Sequence, residues 1–345
     1  MQQLHLAGLA ACRIDSGKII WTGYYGYQNL EDKTPVSKNT IFQIASLSKT
    51  ITAAAISQLV AEGKLRLEDD INNHLPFRVR NPNFENDPIT IADLLRHRSS
   101  IVDNLDYLMP LWRLFKGDSP IPLQAFVKEY LTPNGSNYDR QKNFLDAKPN
   151  TRTIYCNVGY ALLGYLVELK SHISFSEYCK QKIFQPLGMT NAAWFLTELD
   201  IMKVATPYVF SDSLQQHVRY GHEGFPDYPA GTLRTSAEQL AHFLIAWTSN
   251  GKWQSKSVFD SATIERFTPS DVNLGCYTWF IAGAPVVGEL LYFHNGSARG
   301  LYTMMGFKPG TRNGFIIFVS GRPDRRSQAY RKLFNDLVTT IYNIR

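Results

Sequence analysis

Strand-like sequence lies at both ends of this 345-residue chain and helix-like sequence fills the middle, a distribution that excludes most folds open to a protein of this size. At the beginning, residues 4–14 (LHLAGLAACRI) and 18–27 (KIIWTGYYGY) read as strands joined by Asp15-Ser16-Gly17, a turn sequence of the kind that closes a β-hairpin. Toward the end, residues 274–281, 289–294, 301–307 and 314–320 carry aromatic and β-branched side chains with turn residues between them, and an amphipathic helix follows. Strands contributed by both ends predict one antiparallel sheet built from the two termini, because a parallel βαβ array would alternate its elements along the whole chain.

Between the strands the period changes. Residues 48–62 (SKTITAAAISQLVAE) place Ile51, Ala54, Ala55 and Leu59 near helical spacing and Gly63 supplies a stop, which predicts a buried helix. Residues 91–97, 123–131, 158–170 and 175–184 predict further helices separated by loops with Pro and Asn, so residues 65–188 read as an inserted helical lobe. Thr235-Ser236-Ala237-Glu238 matches a capping box for a helix reaching Ser249, with Gly251 just beyond it.

Composition then removes whole classes of function. With 44% apolar and 19% charged residues the chain has the makings of a globular core, and disorder is excluded. Lys and Arg exceed Asp and Glu by 36 to 30, but the excess is scattered; its densest stretch, residues 322–332 (RPDRRSQAYRK), reads as a solvated face, not a nucleic-acid or membrane patch. Cys12, Cys156, Cys179 and Cys276 lie far apart, with no CxxC pair and no Cys/His cluster at zinc-site spacing, so neither a metal site nor a disulfide framework is expected. No run approaches the ~18 consecutive apolar residues of a membrane span, and the N-terminus lacks a basic region followed by an apolar stretch. A soluble chain is expected; the compartment and oligomeric state stay open, a periplasmic or secreted location following if an export signal has been removed and a cytoplasmic one otherwise.

Three short segments carry residue types suited to acyl transfer. Ser46-Leu47-Ser48-Lys49 opens the buried helix, and its i, i+3 spacing puts a hydroxyl and an amine on one face of the first turn. A serine hydroxyl is a poor nucleophile until a base is within reach, and a lysine packed among apolar residues loses proton affinity and can be that base; alternatively Ser46 simply caps the helix. Tyr155-Cys156-Asn157 stands immediately before an apolar helix. There Tyr155 is either packing or a phenol whose pKa a neighbouring lysine lowers, and Asn157 is either an N-cap or a holder of a substrate carbonyl. His294-Asn295-Gly296 ends a strand-like run, followed by Ser297; the histidine is either structural or part of a site in which Gly296 lets substrate approach an edge strand and the Ser297 amide joins that of Ser46 as an oxyanion hole.

Taken together, in this order and these contexts, the three segments resemble the penicillin-recognising, class C β-lactamase and DD-peptidase superfamily, whose members carry SxxK, Tyr-x-Asn and Lys- or His-x-Gly. Residues 40–49 (TIFQIASLSK), 155–164 (YCNVGYALLG), 186–189 (PLGM) and 230–241 (AGTLRTSAEQLA) extend the resemblance over nearly the whole chain. It implies an α/β (α+β) sandwich of residues 1–64 and 225–345, an all-helical domain of residues 65–224, an active site in the groove between them, and a cofactor-free acyl-enzyme mechanism. In that mechanism Tyr155, tuned by Lys49, or Lys49 itself takes the Ser46 proton, Asn157 holds the substrate, and His294 binds a substrate carboxylate or assists the leaving group. His294 where class C β-lactamases have lysine points to the DD-peptidase, D-aminopeptidase and esterase branches and away from efficient β-lactam hydrolysis. Asn295 replaces the threonine common there, and residues 95–101 (LRHRSSI) look like a divergent His-Thr-Ser-Gly segment. The expected partner is a small ester or peptide; the alternative is a catalytically silent relative that binds peptides or a partner protein in the same groove.

Ser211-Asp212-Ser213, which resembles the Ser-Asp-Asn motif of other β-lactamases, reads as surface, Glu68-Asp69-Asp70 as an acidic turn, and His97, His217, His222 and His242 as packed or solvated side chains.

Overall fold

The computed structural model describes residues 1–283, 289–321 and 328–345. Strands β1 (Gly8–Asp15) and β2 (Lys18–Asn29) pair across a turn in which Ser16 and Gly17 both take positive φ, 50° and 76°, the sense of turn that matches strand twist. Short strands β3 (Thr34–Pro35) and β4 (Phe42–Gln43) lead into helix α1 (Ser48–Ala61). The middle of the chain supplies α2 (Ile91–Leu95), α3 (Leu105–Leu114), α4 (Leu123–Leu131), α5 (Asn157–Ser171) and α6 (Phe175–Cys179), then a hairpin of β5 (Tyr208–Ser211) and β6 (Gln216–Arg219). There follow β7 (Arg234–Thr235), α7 (Ala237–Thr248), the small hairpin β8 (Lys252–Trp253) and β9 (Lys256–Ser257), and α8 (Ser261–Phe267). The chain ends with β10 (Phe280–Gly283), β11 (Leu290–Ala298), β12 (Leu301–Phe307), β13 (Gly314–Ser320) and α9 (Gln328–Tyr342).

The two ends meet as the sequence predicts. Sheet order is β10-β11-β12-β13-β1-β2-β3, and β1 lies antiparallel to β13 from Gly8 opposite Ser320 to Ile14 opposite Gly314. Both strands are buried almost throughout because a helix covers each face. Ala10, Cys12, Ile316 and Phe318 share a core with Leu240, Phe243 and Leu244 of α7, whereas Leu9, Ala11, Ile317 and Val319 share one with Phe334, Val338 and Ile341 of α9. Alternate side chains of one strand thus feed two cores, which is why these strands read as continuous apolar runs and not as an alternating pattern.

Local differences have local causes. Ser236, not Thr235, caps α7 by accepting from Gln239 N, and Glu238 instead accepts from the Tyr24 hydroxyl. Residues 272–274 form a 3₁₀ turn and the strand begins only at Phe280, while β11 runs on through Ala298, so His294-Asn295-Gly296 lies within a strand and not at its end. Helix α3 carries Pro110 in its interior, which hides it from a reading of the sequence pattern, and the segment expected to be wholly helical also contains the β5–β6 hairpin. Of the basic stretch, residues 322–327 lie outside the described residues, and Arg331 and Lys332 are exposed on α9. Among the described residues no helix is long and apolar enough to cross a membrane.

Helix α5 reaches the turn Tyr228–Ala230 through Gly164, where a Cβ would overlap Pro229 Cγ and lie 2.7 Å from Pro229 Cβ. Gly164→Ala gains about 1 kcal/mol of helix propensity, but forcing a methyl group into a packed contact costs about 1–3 kcal/mol, and a proline ring cannot rotate out of the way. Urea denaturation should find the variant less stable by about 1–2 kcal/mol; equal or higher stability would mean that the turn yields.

Candidate active site

Ser46 sits in a single 3₁₀ turn, Ala45–Leu47, that enters α1, and Ala45 takes φ 48°, a left-handed conformation that a non-glycine residue adopts only when its surroundings hold it there. Strands β11 and β12 do the holding. Thr303 Oγ1 donates to Ile44 O at 2.7 Å, and β11 passes so close that a Cβ on Gly296 would overlap Ile44 O and Thr303 Oγ1 and stand 3.0 Å from Ser46 N. From His294 onward the one strand paired with β11 among the described residues is β12, and the other side of β11 lies against the Ser46 turn. Ser46 and Ser297 both line a cleft of about 780 Å³, together with Asn157, Ala230, Asp227 and Tyr220.

Lys49 has no exposed surface. Its Nζ donates to Asn157 Oδ1 and Ala230 O, each at 2.7 Å, and stands 3.3 Å from Ser46 Oγ. Burial pulls its pKa down to about 7, against the opposing pull of Asp103 and Asp227. Tyr155 shares a hydrogen bond with Ser46, and its ring centroid lies 4.7 Å from Lys49 Nζ. A neighbouring lysine was expected to lower the phenol's pKa. Instead burial dominates and raises it, the Ser46 hydrogen bond offsetting only part of the rise, even though 39% of the residue faces solvent.

Asn157 is not the N-cap of α5: Cys156 caps it, its thiol accepting from Gly159 N at 3.3 Å, which leaves the Asn157 amide to Lys49. The amide's other end meets a residue that sequence reasoning missed. Asp103 accepts from Asn157 Nδ2 at 2.7 Å, from Asn157 N at 2.9 Å and from Val158 N at 3.1 Å. An acid in a loop more than 50 positions upstream of its partner carries no local signature; its only flag was its nearness to the divergent residues 95–101. His97, set aside as a packed side chain, does pack, and against the site: its ring lies 4.4 Å from that of Tyr155, and Nδ1 accepts from Cys156 N.

His294 has no exposed surface. Its Nδ1 is 2.8 Å from Asn295 O, and burial, aided by Lys49, pulls its pKa down to about 3. A buried neutral imidazole offers no charge to a substrate carboxylate, which corrects that expectation. Asp227, also missed, is buried; its Oδ1 accepts from Trp112 Nε1 at 2.9 Å, and burial, then Asp103, push its pKa up to about 7. Asp212 and Ser213 are exposed, as a surface reading requires, yet with Ser211 they border the cleft. Glu68, Asp69 and Asp70 pair with Arg266, His74 and Arg80.

The depressed pKa of Lys49 links to stability with a definite sign. Between about 7 and the ordinary 10.5 the unfolded chain holds a proton that the folded one lacks, so wild-type stability rises with pH across that window and the penalty is complete below it. Lys49→Met removes this slope. Relative to wild type, its stability should improve by roughly 2–3 kcal/mol on going from pH 9 to pH 6 in matched denaturant titrations, whatever constant cost the lost hydrogen bonds impose. A pH-independent difference would mean that Lys49 titrates normally. Gly296→Ala should part β11 from the Ser46 turn, with a stability loss of about 1–3 kcal/mol accompanied by loss of any reactivity of Ser46.

The chain is similar to known proteins along nearly its whole length. The family model described as Beta-lactamase matches residues 1–339. The curated "Protein flp" of Staphylococcus aureus (strain N315) is 26% identical over 356 aligned residues, covering 99% of this chain and 64% of that protein, so the chain spans about 64% of the length of this relative. Among solved structures, the octameric penicillin-binding protein homologue from Pyrococcus abyssi is 27% identical with a TM-score of 0.72, covering 93% of this chain and 71% of that one. The D-amino acid amidase from Ochrobactrum anthropi SV3 shares the fold at 18% identity, with a TM-score of 0.76 over 98% and 95% of the two chains. The chain belongs to the beta-lactamase family, and its antiparallel sheet with flanking helices is the architecture shared with the penicillin-binding proteins.

Proposed function

We propose that this protein is a serine hydrolase that forms an acyl-enzyme on Ser46 and cleaves esters or amides. The observation that carries the reading is the set of hydrogen-bond partners around Lys49. A neutral amine has two hydrogens, and Asn157 Oδ1 and Ala230 O take both, which leaves the lone pair for Ser46 Oγ at 3.3 Å. With a pKa of about 7 the neutral form is well populated at neutral pH, whereas Tyr155 stays protonated. Lys49 is therefore the base, and Tyr155 the proton carrier between Ser46 and the leaving group.

In the first step Ser46 Oγ attacks the substrate carbonyl carbon as its proton passes to Lys49, and the new oxyanion faces the N–H groups of Ser46 and Ser297. Collapse of the adduct breaks the ester or amide bond, and the departing alcohol or amine takes a proton from Tyr155, which recovers one from Lys49. Water then attacks the acyl carbonyl carbon as its proton passes to Lys49, and collapse breaks the ester bond to Ser46 Oγ, which takes that proton back and frees the acid. Residues of both proposed domains line the cleft, Ala45, Ser46, Ala230 and Ser297–Gly300 from 1–64 with 225–345 and Trp112, Arg113 and Asn157 from 65–224, although the hairpin residues Val209–Ser213 that also border it pack toward the first, Gly321 N donating to Tyr208 O and the Phe210 ring stacking on His5. Between substrates, the absence of a cationic group at position 294 favours a carboxylesterase or a D-amino-acid-specific peptidase or amidase over a β-lactamase.

Intact mass after exposure to a serine-reactive phosphonate should show one adduct, mapped to Ser46 and absent from Ser46→Ala; a folded but unlabelled wild type would remove the reading. The labelling rate should rise with pH through about 7. Lys49→Met should slow acylation by roughly 10³-fold or more, while Tyr155→Phe retains measurable acylation and loses turnover by roughly 10²–10⁴-fold. Acylation abolished by Tyr155→Phe would instead make the phenol the base. Short-chain aryl esters, D-alanyl peptides and a chromogenic cephalosporin separate the substrate classes.

A further inference from the structure

We propose that Asp103 is a positioning residue for this site: its carboxylate locks the Asn157 side chain so that the amide oxygen, and not the amide nitrogen, faces Lys49. The inference rests on Lys49 serving as the base for Ser46. An ionised carboxylate can only accept hydrogen bonds, and the groups turned toward Asp103 are donors: Asn157 N, Val158 N, Asn157 Nδ2 and, at 3.4 Å, the Cys156 thiol. With Nδ2 committed to Asp103 at 2.7 Å, Oδ1 has one direction left, and Lys49 Nζ lies there at 2.7 Å. The reversed amide would set Nδ2 against the lysine, donor to donor, and Oδ1 against the carboxylate. The result is a chain of hydrogen bonds, Asp103 to Asn157 to Lys49 to Ser46, in which the first link decides the orientation of the last. Without a fixed acceptor at Asn157, one amine hydrogen is free to turn toward Ser46 and the lone pair is no longer aimed at the hydroxyl.

Asp103 also acts by charge. The ionisable groups around Lys49 are Asp103, Asp227, Cys156, His97, His294 and the phenols of Tyr155 and Tyr160. Of these, Asp103, Asp227 and Cys156 hold its proton affinity up, Asp103 most, so removing Asp103 moves the acid limb of the rate profile to lower pH.

The test measures phosphonate acylation against pH for wild type, Asp103→Asn, Asn157→Ala and the double variant, all checked for folding by circular dichroism. Asp103→Asn should acylate about 10–100-fold more slowly at its own optimum, with an acid limb at least about half a pH unit lower. Because the orienting effect of Asp103 works through Asn157, the double variant should be no slower at its own optimum than Asn157→Ala alone, while its acid limb still moves to lower pH through the lost charge. An unchanged rate and profile, or single effects that multiply in the double variant, would overturn the proposal while wild-type labelling of Ser46 left the hydrolase reading standing. An unlabelled wild type would instead sink that reading first. Should Asp103→Asn fail to fold, Asp103→Ser, which likewise removes the charge and the acceptor for Asn157 Nδ2, is read against the same outcomes.

Discussion

A primary amine with no exposed surface must place its hydrogens on protein acceptors, and the acceptors of Lys49 come from two separate stretches of chain: the first residue of α5 and the carbonyl of Ala230. Neither is near Lys49 in sequence. Helix α5 therefore has to dock against α1 at one register, and the turn Tyr228–Ala230 has to wedge between them, which is what the side-chain-free surface of Gly164 permits. The same confinement that lowers the proton affinity of Lys49 sets the direction in which its lone pair points.

Ser46 is held from the opposite side by the sheet. Its turn carries a left-handed alanine, a strain of about 1–3 kcal/mol that persists because Thr303 clasps Ile44 and Gly296 lets β11 lie against the turn. Here β12 is an interior strand and, among the described residues, β11 has β12 as its one strand partner beside Ser46, so the clasp is anchored in the sheet. Rigid backbone on the sheet side and a buried charge network on the helix side meet at one hydroxyl. Preorganisation of this kind lets donors and base act without rearranging during a reaction.

Much of this was legible in the residues. The turn at Asp15-Ser16-Gly17, the alanine-rich helix after Ser46 and the strand-like ends could be read because hairpin turns, helical spacing and β-branched runs are local signals. Helix α3 was not, because Pro110 normally breaks the pattern it sits in, and the cap of α7 was displaced by one residue because Thr235 is occupied as strand β7. Asp103, His97 and Asp227 escaped as site residues because each reaches it through contacts between segments many residues apart.

By itself, then, the sequence determined the antiparallel sheet built from both ends, the helical filling between them, and the presence of Ser46, Lys49, Tyr155, Asn157 and Gly296 in contexts suited to one site, since all of these follow from short-range pattern and residue chemistry. Only the tertiary structure decided protonation and orientation: that Lys49, not Tyr155, is the group whose pKa falls, that His294 is neutral and enclosed, and that the Asn157 amide points its oxygen at the amine. The physical reason is that desolvation and hydrogen-bond direction depend on which distant segments surround a group, and no spacing along the chain encodes that.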